Sequence, residues 1–484
     1  MTLQEALAEN ALLKANLEAV TFQLEQLKRL IFGHKRERLQ INSEQVCLPF
    51  AHTPVEPPET LPEIQVPAHS RRVRKPKRQA LPANLPREIE IIDLPEDEKP
   101  CPCCGGERHV IGEAITEKLD YVPAQLKVLQ TRRPKYACRS CAGEVAVAPL
   151  PPQAIEQGIA AAGLLAHVLV SKFVDHLPLN RQEAILRRDG IDIARSTLCD
   201  WVLACADLMK PVYLRLIEVI KGYDILHGDD TPVPLQAKGG TLTARAWGYL
   251  APEAGLVAYE FTESRAGVYP QSWLRDWEGY LVVDAYAGYD RLFATPTIKE
   301  VGCWAHARRK FFEVARLAKG KGLAHEAVGR IGTFYHLDNQ WRELSHEERR
   351  QRRQEEIGPL LDEFRRWIEA HYPKLLPQSP LAKAMGYVLK QWDALTRFLD
   401  DGRLPLDNNA AERALRPIAL GRKNWLFAGS VRGGEAAAVI LSLVESAKLQ
   451  GKNPFAYLKA VLERLPSAKA QDLDSLLPHL WQPA

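Results

Sequence analysis

No run in this sequence is long and apolar enough to span a membrane. The nearest, Gly158–Val170, is interrupted by His167 and falls short of the roughly 18 residues such a helix needs. An excess of one charge is also missing. Sixty-four Lys and Arg stand against 60 Asp and Glu, a net charge of +4 over 484 residues, so bulk charge does not mark a nucleic-acid binder. Any such function must rest on where the charges sit. The opening MTLQEALAEN has acids where a signal peptide carries its basic n-region. That predicts a cytoplasmic protein without membrane contact, its cysteines reduced. Apolar residues are not scarce: 46% of the chain is hydrophobic, and the length suits about three domains of about 150 residues. Disorder throughout is excluded.

Leu3, Ala6, Asn10, Leu13, Leu17, Val20, Leu24, Leu27 and Ile31 alternate at spacings of three and four, the a/d seam of a coiled coil with a register-setting amide at Asn10. Residues 1–45 are therefore expected to form an oligomerisation helix, with a helix packed on its own domain as the alternative. Twelve of the 34 prolines fall between Pro49 and Pro102, which marks 46–95 as a linker. Inside it, Arg71–Arg78 holds six cations in eight residues; Arg71, Arg72, Arg74 and Lys75 are candidate DNA contacts, a solvated tail being the other reading.

Residues 151–220 read as helical. Arg181–Arg188 predicts one helix, Gly190 a break, and Ser196 or Thr197 the cap of a second, so that either a helix-turn-helix or two packed core helices fits. After Gly222, short β-rich runs predict three strands, a helix near Pro270–Trp277, a fourth strand and then, from IKEVGCWAHARRKFF, a strand entering a helix: a mixed α/β sheet. Residues from about 312 to 400 read as charged helices, HEERRQRRQEE being a solvated helix face. A short helical unit with NPFAYLKAVLERLP closes the chain over 436–484.

Cys101 and Cys104, followed 34 residues on by Cys138 and then Cys141, make two CxxC knuckles that fit a tetrahedral structural Zn²⁺ in a small zinc-ribbon-like module over 96–150. Cys103 leaves open which of the first cysteines bind, and a redox CxxC is the competing reading. Cys47, Cys199, Cys205 and Cys303 are scattered and are expected to be buried. Asp229 and Asp284 each follow an apolar run, as carboxylates at strand tips would. Such a pair suits two Mg²⁺ or Mn²⁺ ions about 3.5–4 Å apart for in-line attack on a phosphodiester, turn and cap roles being the bland reading. Glu412 offers a third acid, in a helix capped by Asp407 or Asn408. From Arg413 to Arg432 there are five cations and no acid. A surface pair between Glu412 and Arg416 is the alternative to a metal carboxylate beside phosphate-binding arginines.

HGDDTPV, VVDAYAGYD, CWAHARRKF and DNNAAERALRPIALGRKNWLFAGS, with FGHKRERL, the cysteine pairs and NPFAYL, resemble the DDE transposases of the insertion sequence 66 family over nearly the whole chain. The resemblance implies a ribonuclease H-like catalytic domain over 221–435 with a helical insertion and an acidic triad of Asp229, Asp284 and Glu412. It also implies a bacterial protein that binds the inverted-repeat ends of an element and target DNA. Metal-dependent strand cleavage and strand transfer follow, in a dimer or higher homo-oligomer, with accessory proteins encoded by the same element and association with the nucleoid. Arg413, Arg416, Arg422 and Lys423 are then candidate phosphate contacts, and His306, Arg308 and Arg309 candidates for approach to the scissile strand. The family usually reads Asp-Glu-Thr at the first motif; this chain has Asp229, Asp230, Thr231. The rivals are a non-enzymatic zinc-ribbon DNA-binding regulator on a decayed nuclease scaffold, and a two-metal nuclease without strand transfer.

Overall fold

A computed structural model describes residues 126–136, 146–318 and 322–483. The coiled-coil segment, the linker with Arg71, Arg72, Arg74 and Lys75, and Cys101, Cys104, Cys138 and Cys141 lie outside the described residues. Among those described, no helix is long and apolar enough to cross a membrane. From Arg133 onward they group into one compact unit, while 126–132 belong to another.

Three helices precede the sheet: α1 (Ala162–Phe173), α2 (Leu179–Arg188) and α3 (Arg195–Lys221). Helix α2 ends before Gly190, whose φ of 81° takes the left-handed turn a side chain would resist. The second expected helix is not short, and neither Ser196 nor Thr197 caps it: both lie in its first turn, after Ala194. It runs 27 residues and absorbs Pro211. An interior proline costs about 3 kcal/mol, but α3 buries Leu198, Trp201, Val202, Cys205, Met209, Val212, Leu216 and Ile220 along one seam. That burial outweighs the lost hydrogen bond, and it gives α3 the character of a core helix. Cys199, next to Leu198 but outside this seam, is exposed and not buried as expected.

Five strands follow: β1 (Ile225–Ala237), β2 (Gly240–Ala251), β3 (Leu256–Thr262), β4 (Gly279–Val282) and β5 (Ile298–Val301), in spatial order β3-β2-β1-β4-β5. The first three form antiparallel hairpins, whereas β4 and β5 run parallel to β1. A two-residue turn at Lys238–Gly239 sets the β1/β2 register, with Asp229 opposite Gly248 and Pro232 opposite Arg245. After β5 come α4 (Trp304–Leu317), α5 (Leu323–Gln340), α6 (Gly358–His371), α7 (Pro380–Lys390), α8 (Asn409–Trp425), α9 (Val431–Leu449) and α10 (Pro454–Arg464).

Two cores flank the sheet. One joins α1–α3, β1–β4 and α8–α10, including Trp247, Tyr259, Val444 and Tyr457, so residues from 160 to 481 share it. The other gathers α4–α7 against Ile225, Val282 and Val301 around Trp304 and Phe364. The stretch HEERRQRRQEE is not wholly a solvated face. Arg353 within it is fully buried, donating to Asp338 Oδ1 at 2.7 Å and to the carbonyls of Phe398 and Asp401.

Candidate active site

The parallel register pairs His227 with Val282 at the last rung between β1 and β4. Two residues beyond that rung stand Asp229, still on β1, and Asp284, just past the end of β4, near enough for the Asp284 charge to act on the Asp229 carboxyl. Asp284 thus follows a strand end as expected, but Asp229 does not: β1 continues for eight residues beyond it because β2 still pairs on its other side. The open edge of β1 past this point carries Pro232 and Pro234, which have no N–H to leave unpaired. It is closed by Ala428, which donates to Pro234 O at 2.8 Å and accepts from Gln236 N at 2.9 Å.

Helix α8 brings Glu412 to the same edge. Asn408 occupies its N-cap position, yet the side chain does not cap it. Fully buried, Asn408 donates from Nδ2 to Gly228 O and accepts from His227 Nδ1, both at 2.9 Å, which clamps the segment before Asp229 to the helix carrying Glu412. Burial pushes His227 down to about 4, so it is the neutral ring that donates here. The alternative Glu412–Arg416 pair does not form. Glu412 Oε1 instead lies 3.6 Å from both His306 Nε2 and Arg309 Nη2 on α4, beyond hydrogen-bond reach, and is buried without a partner.

Asp229 feels both other acids. Burial pushes its carboxyl up to about 7; the Asp230 N–H bond opposes this, and the negative charges of Asp284, Asp230 and Glu412 add to it. Burial likewise holds His306 below its ordinary value, against the pull of Asp284 and Glu412. Among the described residues no three His, Cys, Asp or Glu side chains are gathered closely enough to hold a metal ion. The donor chemistry nonetheless fits a hard divalent cation: oxygen-only ligands, an orphaned Glu412 oxygen and an Asp229 carboxyl pushed up by burial and by neighbouring negative charge.

Asp229, Glu412, Arg413 and Arg416 line one open groove, the two arginines exposed at its rim. Arg309 is exposed and Arg308 half-buried, its guanidinium 5.8 Å from the Phe312 ring centre. Lys423 is exposed, but Arg422 is already engaged, donating to Thr231 Oγ1 at 3.0 Å and to Pro232 O. Sequence reasoning missed Asn408 as a clamp, and it missed Arg245 and Arg265, which donate to Asp230 Oδ2 at 3.0 Å and Oδ1 at 2.9 Å. The Lys238–Gly239 turn carried the signal for Arg245, since the register it fixes puts Trp247 opposite Asp230 and Arg245 opposite Pro232, diagonal to Asp230.

Comparison with known proteins gives four family matches. Residues 157–436 match the Transposase IS66 family, 98–142 the zinc-finger binding domain of transposase IS66, 442–479 the IS66 C-terminal element, and 19–89 the Transposase C of IS166 homeodomain. Among curated relatives, the uncharacterized protein y4hP of Sinorhizobium fredii is 36% identical over 96% of this chain and 89% of its own. The uncharacterized protein y4jD of the same organism is 37% identical over 94% of this chain and 93% of its own.

Proposed function

The chain belongs to the IS66 transposase family, and from that premise we propose that Asp229, Asp284 and Glu412 are its catalytic carboxylates, acting on the inverted-repeat ends of a bacterial element. The observation that carries this reading is that Asp284 and Glu412 lie near enough to Asp229 for their charges to act on it, together with the Asn408 clamp that ties Glu412's helix to the same strand. The strand order β3-β2-β1-β4-β5, three antiparallel and two parallel, supports a ribonuclease H-like catalytic domain.

In this reading the three carboxylates hold Mg²⁺ or Mn²⁺. Bound divalent cations supply Lewis acidity to the attacking and leaving oxygens of an in-line phosphodiester displacement. The protein's part is positioning and charge. Burial raises Asp229 because its negative charge is uncompensated, and a cation there removes that penalty. Arg413 and Arg416, three residues apart on the groove rim, present two cations to DNA phosphates, with Lys423 further along α8. Arg309 and His306 flank Glu412 from α4. Arg422 orients β1 against α8 and contacts phosphate only by leaving Thr231. Cleavage by water and strand transfer by the freed 3′ hydroxyl use the same groove in turn.

The family's zinc-finger segment supports a structural Zn²⁺ on Cys101, Cys104, Cys138 and Cys141. The N-terminal heptads and the basic run with Arg71, Arg72, Arg74 and Lys75 supply self-association and salt-dependent DNA contact in this scheme, in a cytoplasmic, nucleoid-bound oligomer assisted by proteins of the same element. The shorter carboxylate at Asp230 is no sign of decay in itself, since it is paired with two arginines. The test is Asp284→Asn in the full chain, assayed on duplex carrying the element ends with Mg²⁺. Cleavage should fall by at least about 10³-fold with DNA affinity retained. Undiminished cleavage would remove the triad, and cleavage without joined products would identify a nuclease instead.

A further inference from the structure

Asp230 occupies the opposite face of β1 from Asp229, and its side chain is 2% exposed. Two cations neutralise it: Arg245 from β2 and Arg265 from the loop after β3. Arg265 reaches further. Its Nη2 lies 2.8 Å from Asp230 Oδ1 and 4.0 Å from Asp284 Oδ2, so one guanidinium spans the shorter acid of the first motif and the acid of the second. Tyr286 holds that guanidinium at both ends of the residue: its ring lies 3.8 Å beneath the charged carbon, and its hydroxyl donates to the Arg265 carbonyl. The same tyrosine donates its backbone N–H to Asp284 Oδ1 at 3.2 Å. Between them Ala285 sits at φ 65°, a left-handed conformation that costs a non-glycine residue free energy and persists only when its surroundings impose it. Gly288 lies against the Tyr286 ring, where any side chain would displace it.

We propose that Arg265 is a positioning residue for Asp284: a fork anchored on Asp230 and stacked on Tyr286 that fixes the direction of the Asp284 carboxylate and thereby the affinity of the site for its divalent cation. The inference rests on the catalytic reading of Asp284. It assigns a use to the departure at Asp230. A carboxylate one methylene shorter than glutamate meets Nε and Nη2 of the guanidinium close to the strand, and Nη2, while on Asp230, lies 4.0 Å from Asp284 Oδ2. The Tyr286 ring gives the planar guanidinium a surface that an ammonium cannot match.

The alternative role for the same geometry is simple competition, with Arg265 occupying charge that a metal would otherwise claim. The two differ in sign. Mn²⁺ alone is titrated calorimetrically into the full chain, using as reference the binding component that Asp284→Asn abolishes. Strand cleavage of end-bearing duplex is measured in parallel. Under the proposal, Arg265→Gln weakens that component and lowers kcat by about 10-fold or more, with KM for DNA within about twofold, and Arg265→Lys recovers only part. Tighter Mn²⁺ binding, or unchanged binding and kcat, overturns it. Where Arg265→Gln destabilises the chain by leaving Asp230 short of a partner, the double variant Asp230→Asn/Arg265→Gln removes the buried charge. It is expected to fold and keep the defect; full recovery of both readouts also overturns the proposal. If Asp284→Asn keeps both cleavage and Mn²⁺ binding, the catalytic reading falls and this inference with it. If Asp284→Asn loses both while Arg265→Gln keeps both, only this inference falls.

Discussion

At the scale of single residues, burial decides which acids carry charge. Glu260 on β3 is pushed up to about 7 by burial, partly opposed by Lys221, and its Oε2 is buried without a partner. A carboxyl raised in the folded state binds its proton more tightly there than in the unfolded chain. Its contribution to stability is therefore complete below the unfolded value of 4.5 and is lost as pH rises through 7. Glu260→Gln should raise the thermal midpoint at pH 8 by about 2 °C or more and leave it unchanged at pH 4. Calorimetric scans at the two pH values check this, and an equal gain at both would contradict it. Asp230 shows the other outcome of burial: two guanidinium partners compensate a carboxylate that is almost wholly shielded from water.

At the scale of elements, the edges of the sheet are closed by helices from far along the chain. Outer strand β3 gives its Tyr259 N–H to Ser442 Oγ at 2.8 Å and its Val257 N–H to Ser446 Oγ at 3.0 Å, both on α9. An edge strand that would otherwise expose free backbone groups is thereby satisfied. In the helical insertion, Arg353 plays the equivalent part, tying the segment after α5 to the carbonyls of Phe398 and Asp401. Arg353→Ala should cost about 3 kcal/mol in denaturant unfolding. Arg352→Ala, one residue away but 55% exposed and paired only with Glu356, should stay within about 0.5 kcal/mol. Equal effects of the two substitutions would rule out a buried anchor.

At the scale of the whole molecule, the core joining α1–α3 with the sheet also takes Ile440, Leu443 and Val444 from α9 and Tyr457, Leu458 and Val461 from α10. The last 49 residues, 436–484, are thus part of the structure that supports the groove. A chain ending at Glu435 should lose its cooperative melting transition and its protease resistance together, and retention of either in limited proteolysis and scanning calorimetry would show that the catalytic region stands alone.

The sequence by itself determined whatever depends on neighbours along the chain. The helical character of 151–220 follows from spacing, as do the strand runs after Gly222 and the capped helix of NPFAYLKAVLERLP, which Asn453 caps. The acids Asp229, Asp284 and Glu412 could be singled out because each stands in a distinctive local setting. Local pattern also misled: it ended β1 at Asp229, buried Cys199 and solvated Arg353. Each of those outcomes depends on residues brought close only by folding. Asp229 lies mid-strand because β2 continues beside it, and Glu412 turns from Arg416 toward His306 and Arg309, more than a hundred residues earlier. Only tertiary structure decided that Arg265 bridges Asp230 and Asp284, 35 residues behind it and 19 ahead, and that Asn408 reaches back to His227. Periodicity records which face of an element is apolar. It carries no term for which distant charge will be buried against that face, and such contacts settle both the ionisation and the direction of the acids.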